Sequence, residues 1–172
     1  MNGSWEVSAM EVTVAVTATA GSPFAPQDGS DGYDLVSVGS IRVTGYPVGA
    51  GRVDDTLTDD GEPTAVLLLM QEPALPGQSV RARPVALVHA LVDGSPRPEV
   101  LCVPAHDPNF AAFTAPGALP AWHADADTLA TVLHRLDPGH HWRVTGCEGP
   151  TAAESFLAEA RHSYERLTGC LE

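Results

Sequence analysis

Lysine is absent from this 172-residue chain, and all nine basic residues are arginine. Against 22 acidic residues they leave a formal net charge of −13. That balance excludes a basic face for nucleic acid or an anionic membrane. Acidity of this kind most often means only solubility. Cysteine is scarce: Cys102, Cys147 and Cys170 are odd in number and widely spaced. They form neither a disulfide framework nor the paired spacing of a zinc site, and buried free thiols are expected at Cys102 and Cys147. No stretch approaches the roughly 20 apolar residues that cross a bilayer. The N-terminus carries Glu6 and Glu11 and no long apolar core, so no signal peptide is read there. These absences point to a soluble, cytoplasmic protein. The length suits one domain over residues 1–172, and no internal repeat divides it.

What is present is a series of short strand signals followed by two helices. Val12 to Ala18 alternates in the period of a half-buried strand. Gly21 to Gly32 reads as a loop or a broken hairpin and Leu35 to Val43 as a strand. Tyr46 to Gly61 is rich in Gly and Asp and reads as mostly loop. Thr64 to Met70, Ser79 to Ala90, Glu99 to Val103 and Trp142 to Gly146 read as further strands, with Pro84 marking a bulge or an edge. Asp125 to Leu136 places Leu129, Val132, Leu133 and Leu136 at helical spacing, and Pro138-Gly139 ends it. Thr151 to Leu167 opens on a capping box, Thr151 with Glu154. Its apolar stripe is Phe156, Leu157, Ala160, Tyr164 and Leu167. The class is α+β, a small barrel with helices packed outside.

Several segments resemble the soluble, metal-dependent inorganic pyrophosphatases, in order and in spacing. Pro76-Gly77 followed by Val80-Arg81-Ala82-Arg83-Pro84-Val85 resembles the family's PGxxVRARPVG strand. Val100-Leu101-Cys102-Val103-Pro104 with Asp107-Pro108 resembles KVLAVPxxDP, and Tyr46-Pro47 with Thr56-Leu57 and Asp60-Gly61-Glu62-Pro63 resembles the tyrosine and aspartate signature. Leu119-Pro120, Leu136-Asp137-Pro138-Gly139 and Trp142-Arg143-Val144-Thr145-Gly146 resemble the segment that ends in WVKVxG. The resemblance implies an OB-like five-stranded β-barrel with two flanking helices, Mg2+ as the cofactor of active members, and a homo-oligomer, in bacterial relatives a hexamer.

The chemistry departs from that pattern. Family members clamp magnesium ions with carboxylates, and the ions activate water against phosphorus. Of the three signature aspartates, the first is Asp60, the second is conservatively Glu62, and the third falls at Ala65. Tyr46 is kept and the second tyrosine falls at Ala50. Asp93 lies in an altered loop, with an aspartate replaced at Arg97 and a lysine at Glu99. The late tyrosine–lysine pair falls at Leu133-His134. By a looser alignment the early glutamate, lysine and glutamate fall at Val16, Ala25 and Gln27. Arg97 and Glu99 reverse the sign of the charge expected there, and arginine does not replace lysine at a tight phosphate site.

These replacements imply a mostly apolar pocket lined by Val16, Ala25, Gln27, Ala50, Ala65, Asp93 and Leu133, unless the cavity has simply filled in. The polar groups left for catalysis are Tyr46, Glu62, Arg97, Glu99 and His134. Tyr46 is a hydrogen-bond donor or a tyrosine half-buried at a barrel rim. Asp60 and Glu62 are a base or weak metal ligands, or solvated residues of a turn. Arg97 and Glu99 are an ion pair across the pocket or exposed strand residues. His134 moves a proton or sits on a helix surface. His140-His141 lacks a third ligand at readable spacing, and Asp54, Asp55, Asp59 and Asp60 lack the spacing of a calcium loop. Three functions stay open. One is an enzyme without a metal cofactor, of cyclase or isomerase type, acting on an apolar small molecule in specialised metabolism. The others are a non-catalytic binding or structural subunit, and a residual Mg2+-dependent diphosphatase or related phosphohydrolase.

Overall fold

The computed structural model describes residues 10–21, 47–110 and 126–169. Among the described residues, seven strands form one sheet: β1 (Val12–Gly21), β2 (Pro47–Val53), β3 (Thr64–Leu69), β4 (Ser79–Val92), β5 (Ser95–Pro96), β6 (Glu99–Pro104) and β7 (Trp142–Glu148). The strand order is β1-β2-β3-β6-β4-β5, with β7 also on β4, and β1 pairs back onto β4. Five strands therefore close a ring, and β5 and β7 extend β4 beyond it. Two helices follow, α1 (Ala126–Leu136) and α2 (Pro150–Thr168). This is the expected α+β class. The expected strand over Leu35–Val43 and loop over Gly21–Gly32 lie outside the described residues, apart from Gly21 itself, which ends β1.

The ring closes where Val12–Ala15 pairs antiparallel with Ser79–Ala82. β3 and β6 run parallel, Val66 opposite Val100 and Leu68 opposite Cys102. Both of these central strands are buried on both faces. Leu67, Leu69, Leu101 and Val103 join a core with Leu129, Val132 and Leu133 of α1. Val66, Leu68, Val100 and Cys102 join a second core with Ala153 and Leu157 of α2. That is why Thr64–Met70 reads as a continuous apolar run instead of an alternating one. Each buried leucine contributes about 2 kcal/mol. Pro84 sits at a register shift between β4 and β6, the bulge expected of a strand proline.

Four local readings are corrected. Pro47–Val53 is a strand, not loop. Its glycines serve close packing: a Cβ at Gly51 would lie 2.6 Å from the Ala15 carbonyl oxygen. α2 starts on Gly149 with Pro150 in its first turn and has no side-chain cap, so the Thr151–Glu154 capping box does not form. Leu167 is not in the apolar stripe but 79% exposed. Cys102 is buried as expected, whereas Cys147 is half-buried, and both are free thiols.

Candidate functional site

A cleft of about 520 Å3 opens between the Leu57–Pro63 loop, the segment around Arg97 and one face of α2. The loop holds its shape through its own backbone. The Thr58 amide donates to the Glu62 carbonyl at 2.8 Å and the Gly61 amide to the Thr58 carbonyl at 2.9 Å. Gly61 takes φ +79°, where a side chain would strain the turn. The Leu57 amide donates to the Ala160 carbonyl at 2.9 Å, which ties the loop to α2. The third wall follows the β4–β5 hairpin. Asp93 (φ 50°) and Gly94 (φ 86°) make its two-residue turn, and the Arg97 amide returns to the Ala90 carbonyl at 2.8 Å.

Asp60, Glu62, Ala65 and Arg97 all line this cleft. Four positions that the sequence singles out are thus brought together. The cleft also takes Asp59, and from α2 it takes Phe156, Glu159, His162, Ser163 and Arg166. These α2 residues are not among the site positions that the sequence singles out. Their signal was the recurrence of Glu159, His162, Ser163 and Arg166 three and four residues apart, the spacing of one helix face. Among the described residues, the side chains of Asp59, Asp60, Glu62, Glu159, Arg97 and Arg166 make no ion pair or hydrogen bond.

Glu99 lies beside the cleft but not in it. It is 6% exposed. Ala65 and Glu99 immediately precede the Val66–Val100 pair, so they sit side by side at the start of the parallel ladder. By alternation they share the face of Leu67 and Leu101, the face covered by α1. Burial pushes the Glu99 carboxyl up to about 8; the Arg97 guanidinium opposes that shift and Asp137 adds to it. Glu99 is therefore mostly a neutral acid at pH 7. Neither expected arrangement of Arg97 and Glu99 is found. Arg97 is exposed, Glu99 is buried, and they form no ion pair within 4 Å.

The remaining expected residues are scattered. Val16 is buried in the α2-side core and Leu133 in the α1-side core, so both are packing residues. Ala50 is half-buried in β2 between Ala18 and Leu67. His134 is exposed on α1. Asp93 clamps the α1–β7 turn instead of facing the cleft: one carboxylate oxygen accepts from the His141 amide at 2.9 Å, the other meets His140 Nδ1 at 2.6 Å. The His141 amide, and then the His140 ring, hold the Asp93 carboxyl below its ordinary value; the same contact with Asp93 raises His140. Tyr46, Ala25 and Gln27 lie outside the described residues.

The described residues contain no group of three or more His, Cys, Asp or Glu side chains able to hold a metal ion. Asp60 and Glu62 are exposed, Ala65 offers no ligand, and the Arg97 guanidinium shares their cleft. Among the described residues these side chains form no preassembled magnesium cluster. Among the described residues no helix is long and apolar enough to cross a membrane.

A model of the inorganic pyrophosphatase family matches residues 32–165. The inorganic pyrophosphatase of Aeropyrum pernix is 32% identical over 123 residues, covering 70% of this chain and 70% of that protein. The inorganic pyrophosphatase of Haloferax volcanii is 31% identical over 121 residues, 70% of this chain and 68% of that protein. The crystal structure of inorganic pyrophosphatase from Thermus thermophilus superposes with a TM-score of 0.65 at 23% identity, over 95% of each chain, a likeness of fold. With the matched segment, the relatives and the ring of strands in agreement, the chain belongs to the inorganic pyrophosphatase family.

Proposed function

We propose that this family member does not hydrolyse pyrophosphate, and that it binds a small organic molecule in the cleft and acts on it without a metal ion. The reaction class is proton transfer, of cyclase or isomerase type. The observation that carries the reading is the Arg97 guanidinium beside Asp60, Glu62 and Ala65 in one cleft. A fixed positive charge there opposes a magnesium cluster and leaves a carboxylate free for acid–base work. In such a reaction the exposed Glu62 carboxylate takes a proton from carbon. Arg97 steadies the oxygen that gains charge, and the proton returns to a second atom with no change in composition. The wall of Phe156, Pro63, Pro96 and Pro98 suits an apolar substrate body.

A second reading, a binding subunit without catalysis, draws on Val16 and Leu133, where former site positions are packed as core. The first experiment is pyrophosphate hydrolysis with magnesium, on protein purified free of host pyrophosphatase, with Glu62→Gln as control. The expected result is no turnover and no rise in melting temperature with magnesium. Turnover abolished by Glu62→Gln sinks the proposal and restores the Mg2+-dependent reaction.

A further inference from the structure

We infer that the cleft takes an elongated zwitterion, a molecule with an ammonium group and a carboxylate separated by an apolar spacer. The inference rests on the small-molecule reading above and narrows it to a ligand class. Carboxylates and guanidiniums line the same cleft, yet none of the six pairs with another. Charges of both signs left unpaired in one concavity are complementary to a ligand that carries both, which can replace the water on each of these exposed groups. A polyanion such as pyrophosphate meets Asp59, Asp60, Glu62 and Glu159 and is repelled. A simple amine leaves Arg97 and Arg166 without a partner.

The spacing of the charges follows from α2. Glu159 and Arg166 are seven residues apart on one face of the helix. At 1.5 Å per residue their Cα atoms are separated by about 10 Å along its axis. That is too far for the two side chains to pair across two turns as i,i+4 neighbours do. It matches a ligand whose own charges are several ångströms apart. An α-amino acid, with its charges on one carbon, does not span it. Half-buried Phe156, one turn before Glu159, offers its ring to the spacer and to the ammonium end.

The test is an NMR titration of the full chain with 6-aminohexanoate, hexanoate, hexylamine and glycine. The expected order is 6-aminohexanoate at least about fivefold tighter than hexanoate or hexylamine, the ratio for one surface charge contact. Glycine is expected not to shift the α2 signals. Arg166→Gln is expected to erase the advantage over hexylamine, and Glu159→Gln the advantage over hexanoate. Equal affinity for the zwitterion and either half overturns the inference. So does the absence of 6-aminohexanoate binding up to about 50 mM. Magnesium and pyrophosphate are titrated into the same sample. Their binding defeats the broader small-molecule reading, whereas a failed 6-aminohexanoate arm without it defeats only the ligand class.

Discussion

Replacing Glu99 by glutamine is expected to stabilise the protein, and only on the alkaline side. The Glu99 carboxyl is raised from an ordinary 4.5 to about 8. The folded state therefore binds the Glu99 proton more tightly than the unfolded state does. For a carboxyl raised in this way the stabilising influence is full below pH 4.5 and is lost as pH rises to about 8, above which the loss levels off. At about 1.4 kcal/mol per pH unit, the accumulated loss is on the order of 5 kcal/mol. Glutamine has nearly the same shape and no proton to lose. Urea denaturation of the wild type and Glu99→Gln between pH 5 and 9 reads the difference directly, because every other titrating group cancels. The two curves should nearly coincide near pH 5 and diverge by several kcal/mol at pH 8.5. Arg97→Gln should leave the onset near pH 4.5 in place and carry the divergence to higher pH and a larger final value, since its guanidinium favours the charged form. A difference that stays constant with pH refutes the reasoning, because it means that Glu99 is already ionised when folded.

Two buried threonines should respond in opposite directions. Thr56 Oγ1 donates to the Val53 carbonyl at 2.6 Å and accepts from the Thr64 amide at 3.0 Å, so Thr56→Val is expected to cost about 2–4 kcal/mol in urea denaturation. Thr64 Oγ1 is buried without a hydrogen-bond partner, so Thr64→Val should raise stability by about 1 kcal/mol and the Tm by about 3 °C in a thermal scan. Gly51→Ala would place a methyl 2.6 Å from both the Ala15 carbonyl oxygen and Val14 Cγ1, with an expected loss of about 1–3 kcal/mol; an unchanged denaturation midpoint would show that β1 and β2 can separate freely.

Most strands and both helices were legible because their apolar residues recur at the right period. Val12, Val14 and Val16 alternate into one core, and Leu129, Val132 and Leu133 follow the helical spacing into the other. β2 was missed because Gly49 and Gly51, which read as loop residues, are there to let backbone approach backbone. The start of α2 was misplaced because Pro150 provides a first-turn residue that competes with the Thr151 cap. In the cleft, Asp60, Glu62 and Ala65 belong to one motif with fixed spacing and Arg97 to a second, altered segment, and the fold brings the two segments together. Glu99 was legible as a residue but not as a buried acid. Its burial depends on β6 being central and on α1 covering its face, which local sequence does not encode. Glu159 and Arg166 recur on one helix face, but their partnership with a loop about 100 residues earlier is a tertiary fact that this spacing does not encode.

The closure of the ring by a single N-terminal strand gives that strand a protective role apart from any contribution to the cleft. Among the described residues, β1 alone pairs with both β2 and β4. A protease cut that released residues 10–21 would uncover two rows of unpaired amides and carbonyls at once. Both core clusters would still hold most of their members, since β1 supplies only Val12, Val14 and Val16. The trimmed protein is thus expected to aggregate through its open strands before it unfolds. β1 acts as the last stave of a cask, contributing little volume and keeping the whole from joining its neighbours.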